Sequence, residues 1–255
     1  MAARNSRGRR RRGRFGFLYK VLCVLLILAA IVGGCIVFFR VENIEITGST
    51  VYSDEEIIAA AGIELGDNLM LVNWVQSGRK IVNQLPYISE VNPRPSLPDT
   101  LILNVTECTP VGILKGEEGT WWVMDSKCRL LEEGGNELTQ KYPKITGLTA
   151  LVPSVGKSLA VSVEESTKLD SLKQILNALE GRNMLGNVQS INMSGGSEIH
   201  LSYEERFDVR LPMYSDDFAH LIYILEQASA KLDAGQTGTI DLILLPGEQG
   251  RFIPD

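Results

Sequence analysis

The residues with the most chemical potential in this chain are few, and their spacing suits chemistry poorly. Ser154 and Lys157 in "SVGK" form an S-x-x-K pair, in which the lysine could take the proton of a serine nucleophile. Such a pair arises readily by chance, and the S-D-N and K-T-G segments that complete that kind of site do not occur in the sequence. The doublets Glu117-Glu118, Glu132-Glu133, Glu164-Glu165 and Glu204-Glu205 offer paired carboxylates of the sort that cleave glycosidic bonds. Chain neighbours rarely converge on one cleft, so solvated turns and edges are expected. The histidines, His200 and His220, have no ligand-spaced partners, and there is no G-x-S-x-G, P-loop or H-E-x-x-H. The reading is therefore a protein that is not an enzyme, with no catalytic residue, no metal and no cofactor.

Four cysteines divide two and two. Cys23 and Cys35 lie within an apolar run and read as lipid-facing helix residues. Cys108 and Cys128 flank an expected hairpin, and a disulfide between them would close a loop of about 20 residues, worth on the order of 3 kcal/mol. The spacing leaves that bridge open, because a Cα separation cannot be read from sequence.

The elements that must carry these residues are clearer. With 44% hydrophobic and 22% charged residues over 255 positions, the chain is globular in character. Its net charge of −6 conceals an asymmetry: the first 20 residues hold eight cations and no acid, which leaves −14 for the remainder. Between the two parts, Val21 to Phe39 runs 19 residues without a charge or a proline. As a helix that run covers roughly 28 Å, about one bilayer core. Cleavage after "LAA" at 28–30 would leave a hydrophobic stump, and "VGGC" at 32–35 continues into "IVFFR" where a lipidated cysteine is normally followed by polar residues. An uncleaved anchor is expected. The arginine-rich segment then fixes topology and meets anionic headgroups, rather than nucleic acid, with residues 1–17 cytoplasmic and everything after Arg40 outside.

Beyond the span, Ile44 and Ile46 alternate with polar residues as a strand does. Gly48-Ser49 turns it, and Ser53 to Glu56 forms a capping box for a helix over "DEEIIAAA" that stops at Gly62. A second helix is expected from about Leu71 to Leu85, with Leu71, Val75, Val82 and Leu85 as its apolar face. Pro93, Pro95 and Pro98 then predict a strand ending near Arg94, a restricted connection, and a strand through Leu101, Leu103 and Val105. Strand, helix, helix, strand, strand makes a small α+β domain with helices on one face of the sheet.

These segments resemble the POTRA domain of the FtsQ/DivIB family of bacterial cell-division proteins. The matching features are the V-x-x-I-x-I-x-G-S opening at Val41, the stretch Gly62 to Leu69, the L-P-Y-I at Leu85 to Ile88, and the R-P-x-x-P-x-x-L-x-L-x-V-x-E at Arg94 to Glu107. "YPKITGL" at 142–148 and "GTIDLILL" at 238–245 are similar to later family segments. Between them the periodicity predicts a hairpin turning near Asp125 to Lys127, a helix through Leu169, Leu172, Leu176 and Leu179, paired strands at 199–203 and 207–211, and a helix through Phe218, Leu221, Leu225, Ala228 and Leu232.

The expected organisation is thus a basic tail at 1–17, a transmembrane helix at 18–39, a POTRA domain at 41–109, a mixed β-rich domain with two helices at 110–245, and a tail at 246–255 that orders on binding. The resemblance implies a single-pass divisome scaffold at the septum that recruits two other bitopic proteins, of the FtsB/DivIC and FtsL types, for septal wall synthesis. It places the partner-binding strand on Thr239, Ile240, Asp241, Leu242, Ile243, Leu244 and Leu245, with Gly247 and Phe252 beyond it. Here the sequence departs from the family, which in some members has Arg-Tyr where Ile243-Leu244 stand. The alternatives are an assembly or secretion factor with POTRA domains, which lacks the strands of a β-barrel here, and a membrane-anchored cell-wall enzyme.

Overall fold

A computed structural model describes residues 14–233, 235–243 and 250–255. The basic tail up to residue 13 lies outside the described residues. Helix α1 (Arg14–Phe38) contains the apolar stretch Phe17–Phe38, whose side chains the rest of the chain does not bury. A helix that is apolar on all sides and uncovered has lipid as its natural surrounding. The sequence places the end of the span at Phe39; instead the helix ends one residue earlier and Phe39 packs against the domain that follows.

That domain contains β1 (Asn43–Thr47), α2 (Asp54–Ala61), α3 (Trp74–Gln84), β2 (Ile88–Ser96) and β3 (Thr100–Glu107), with the sheet ordered β1-β3-β2. Strand β1 runs parallel to β3, and β2 is antiparallel to it. The expected capping box is present: Glu56 N–H donates to Ser53 Oγ and Ser53 N–H donates to the Glu56 carboxylate. Gly62 ends α2 in the left-handed region, as its position predicts.

Two expectations change. Helix α3 starts at Trp74, capped by Asn73, whose side chain accepts from Gln76 N–H. The cap holds the start of the helix three residues beyond Leu71, so Leu71 and Val75 are exposed and the buried face is Ser77, Gly78 and Ile81. Strand β2 also continues through Pro93 and Pro95 to Ser96. It is an edge strand, and two prolines spaced by two residues remove N–H groups only from its free side.

The turn after β1 is fixed from two directions. Gly48 has φ +87°, and a Cβ there would lie 2.2 Å from the Val105 carbonyl oxygen. At the end of β3 the Glu107 carboxylate accepts from Thr50 N–H (2.6 Å), Val51 N–H (2.8 Å) and the Thr50 and Ser49 hydroxyls. Burial disfavours its charge, but these donors outweigh burial and hold its pKa below the usual carboxylate value.

Among the described residues, the second domain is built on one nine-stranded sheet. Its strands are β4 (Pro110–Gly116), β5 (Trp121–Asp125), β6 (Leu130–Gly134), β7 (Lys144–Ala150), β8 (Val188–Asn192), β9 (Glu198–Tyr203), β10 (Phe207–Pro212), β11 (Gly238–Asp241) and β12 (Arg251–Pro254). They lie in the order β12-β11-β10-β9-β8-β7-β4-β5-β6. Helices α5 (Ser166–Glu180) and α6 (Phe218–Ser229) supply the apolar layer. Leu169, Leu172, Leu176 and Leu179 are all buried there, as are Phe218, Leu221 and Leu225. Helix α6 ends before Leu232, which still packs against the core from the loop beyond. A one-turn helix, α4 (Leu138–Lys141), covers a smaller cluster of Cys108, Ile113, Val123, Leu131 and Leu138 on the other side of the sheet.

Two side chains are prominent among the contacts that join the domains. Tyr87, from the turn before β2, packs into that smaller cluster. Arg129, in the β5–β6 turn, donates to the carbonyls of Val82, Ile88 (2.8 Å) and Gly156 (3.2 Å), so one guanidinium ties α3 and β2 to the second domain. Replacing it leaves these carbonyls short of a donor.

Arg129→Ala is therefore expected to cost about 2–3 kcal/mol and to split one calorimetric unfolding transition into two. Gly48→Ala is expected to cost roughly 2 kcal/mol or more, read as a lowered denaturation midpoint. A single unshifted transition in either variant would contradict the corresponding contact.

Candidate functional site

The C-terminal end of the large sheet holds most of the residues expected to bind a partner. Strand β11 lies parallel to β10, with Val209 beside Ile240 and Arg210 beside Asp241. Leu242 N–H continues the ladder to the Arg210 carbonyl at 2.9 Å. The pleat sends Ile240 and Leu242 into the core, where both are buried, and leaves Thr239 and Asp241 on the opposite face.

The strand expected over Thr239–Leu245 stops at Asp241, whose carboxylate accepts from Ile243 N–H (3.0 Å) and turns the chain. Ile243 is exposed, while Leu244, Leu245 and Gly247 lie outside the described residues. The chain then returns as β12, antiparallel to β11, with Phe252 opposite Ile240 and Ile253 opposite Thr239. So residues 239–241 are not an open edge, and the last residues are not an unpaired tail. The signal for this strand is brief, since only Phe252 and Ile253 favour β structure between Gly250 and Pro254.

β12 is held by two features. Phe252 points into the core and meets Phe207 edge to face at 6.1 Å between ring centroids. Gly238 has φ +151°, and a Cβ there would lie 2.3 Å from the Ile253 carbonyl oxygen, so the strands approach this closely only because Gly238 has none. Asp255 N–H donates to the Thr237 carbonyl (3.3 Å), which sets the phase of the antiparallel ladder. In that phase the backbone N–H and C=O of Phe252 face away from β11. Pro254 occupies the next outward position, where its missing N–H leaves no donor unpaired.

The polar face of this region carries a charge network that the sequence reading did not single out. Arg210 donates to Glu198 on β9 (2.6 and 3.0 Å) and to Asp241 on β11 (3.2 Å). His200 Nδ1 lies 3.0 Å from Asp208. Alternation by two along β9 and β10 puts these groups on one face, but which strands are neighbours is a tertiary fact. The Arg210 hydrogen bond, opposed by slight desolvation, holds the Glu198 carboxyl below its ordinary value.

The other candidates fall elsewhere. Ser154 and Lys157 are exposed on a turn closed by Lys157 N–H to the Ser154 carbonyl. Two acidic doublets do meet, contrary to expectation: Glu117, Glu118 and Glu133 line a small cleft with Trp122, because β4, β5 and β6 are adjacent. Among the described residues no group of three or more His, Cys, Asp or Glu could hold a metal ion. Cys108 and Cys128 are free thiols in different apolar clusters. Burial pushes Cys108 up to about 11 and Cys128 up to about 12, which keeps both protonated. Cys128 takes φ +58° in the β5–β6 turn, where a glycine would be unstrained.

Comparison with known proteins bears most directly on the first domain. Residues 39–107 match the family model for the POTRA domain, FtsQ-type. The chain is 31% identical over 99 residues to cell division protein FtsQ of Corynebacterium glutamicum, covering 39% of this chain and 44% of the relative. It is 26% identical over 154 residues to cell division protein DivIB of Brevibacillus brevis, covering 59% and 58%. A longer match, 24% over 210 residues, covers 81% of this chain and 70% of FtsQ from Syntrophotalea carbinolica. In the first two matches the chain spans about half the length of the relative.

The Glu198–Arg210 pair gives a pH-dependent outcome. A carboxyl whose pKa is lowered by folding adds stability above its unfolded value, near 4.5, and loses it as pH falls through the folded value. Arg210→Gln is expected to move the Glu198 titration, followed by carboxyl NMR, up to the ordinary range and to weaken this acid dependence.

Proposed function

We propose, from an FtsQ-type POTRA domain at residues 39–107 and sequence kinship with the cell division proteins FtsQ and DivIB, that this chain is a bitopic scaffold of the bacterial division machinery. Its amino-terminal residues are cytoplasmic, a single helix crosses the membrane, and both folded domains lie outside it, concentrated at the septum. It works by binding rather than catalysis. Its partners are other single-span division proteins of the FtsB/DivIC and FtsL types, and the POTRA domain meets further membrane components of the same assembly.

The observation that carries this reading is the edge of the large sheet. Strand β12 has four residues and, among the described residues, is paired with β11 on one side only. The outward N–H and C=O of Phe252 and the outward carbonyl of Pro254 are then available to a partner's backbone, the mode in which an added strand extends a sheet. Ile253, 41% exposed beside this edge, supplies an apolar side chain for contact. Of the residues expected from sequence to bind a partner, this reading rests on Phe252, in β12, rather than on 239–241, which β12 covers. Arg210 and Asp241 hold the strands beneath it in register.

Two variants test the edge. A chain ending at Gly250 lacks β12, and Gly238→Val forces a side chain into the Ile253 carbonyl and displaces β12 without shortening the chain. Both are expected to reduce co-purification of the two bitopic partners by about tenfold or more, while a fluorescent fusion still reaches the membrane. Undiminished co-purification from both variants would sink the edge assignment. A diffuse membrane signal from the unaltered fusion in dividing cells would sink the division role itself.

A further inference from the structure

We infer that the loop between α2 and α3 is a second membrane contact, with Met70 and Leu71 seated at the boundary between headgroups and acyl chains of the extracytoplasmic leaflet. The inference rests on α1 crossing the membrane, and the position of the loop along α1 carries it. The 22 residues Phe17–Phe38 extend roughly 33 Å, slightly more than a hydrocarbon core of about 30 Å. Cys35 and Ile36 therefore lie at its rim. The Asn68 side chain donates to both of their carbonyls, at 3.3 and 3.0 Å, and Leu69 N–H donates to the Phe39 carbonyl at 2.8 Å. The loop is thus bonded to the last turn of the span itself.

Met70 and Leu71 are locked onto that same Asn68. Met70 N–H donates to Asn68 Oδ1 (2.9 Å) and Leu71 N–H to the Asn68 carbonyl (3.0 Å). Their backbones consequently sit within a few residues' rise of the rim, yet Met70 is 64% and Leu71 74% exposed to solvent. Leu65 and Val75, nearby in the chain, are exposed as well. Isolated exposed apolar residues are ordinary on any protein. Four of them within eleven residues, beside the end of a membrane helix, are not. Asp67, the charge next to Asn68 in the loop, has its carboxylate engaged within the loop, where it accepts from Glu64 N–H at 3.0 Å. No lysine or arginine occurs between residues 64 and 78, so the contact is apolar rather than electrostatic.

The test uses the full chain reconstituted in phosphatidylcholine vesicles whose acyl chains carry bromine near the headgroup end, with emission measured against the unaltered chain. Leu71→Trp adds a reporter in the loop, Val32→Trp one inside α1, and Val163→Trp one on an exposed turn of the second domain. Quenching of the tryptophans at 71 and 32, with the one at 163 unquenched, is the expected result. Quenching at 32 alone would overturn the loop contact and leave the span intact. No quenching at 32 would overturn the span and the loop contact together. Quenching at all three positions would show general adsorption and overturn the specific assignment. A blue-shifted, unquenched reporter at 71 that depends on protein concentration would mean that a second copy, not lipid, covers the loop.

Discussion

The last turn of any helix leaves carbonyl groups with no partner in the helix itself, and next to hydrocarbon there is little water to satisfy them. In this protein the folded domain supplies donors to two carbonyls of that turn and to the residue just beyond it. Asn68 bonds the Cys35 and Ile36 carbonyls, and Leu69 bonds that of Phe39. Val41 then exchanges backbone bonds with Asp67 and Gly66 before β1 begins. The end of α1 and the first domain therefore share one hydrogen-bond network. No linker is needed, because the residues that would form one are already paired.

That constraint propagates outward. A POTRA domain clamped to its anchor cannot reorient freely, and Arg129 and Tyr87 pass its orientation to the second domain. The second sheet places its nine strands edge to edge from β6, near the domain junction, to β12 at the far end. The acidic body, −14 in contrast to the basic amino-terminal segment, favours short-range apolar and backbone contacts over long-range attraction to anionic lipid.

Much of this was legible in the residues because it depends on local physics. An uncharged run of bilayer length, a capping box at Ser53 and a left-handed stop at Gly62 each act over a few residues. The apolar faces of α5 and of the β9–β10 pair were likewise plain from their periods. Where local signals competed, the sequence misled. Leu71 had the right spacing to extend the apolar face of α3, but the Asn73 cap started the helix later and left Leu71 outside. Pro93 and Pro95 argued against a continuous strand, and an edge position made them harmless.

By itself, then, the sequence determined the span, the order of the elements and the faces they bury, since each follows from spacing along the chain. Only the tertiary structure decided which strand is the edge. Thr239 to Asp241 had every mark of a terminal strand, but the few residues from Arg251 to Pro254 fold back over it. They do so because Gly238 leaves room for the Ile253 carbonyl and Phe207 offers a ring for Phe252 to meet. Strand neighbours are chosen by contacts between residues far apart in the chain, and such contacts have no period to read.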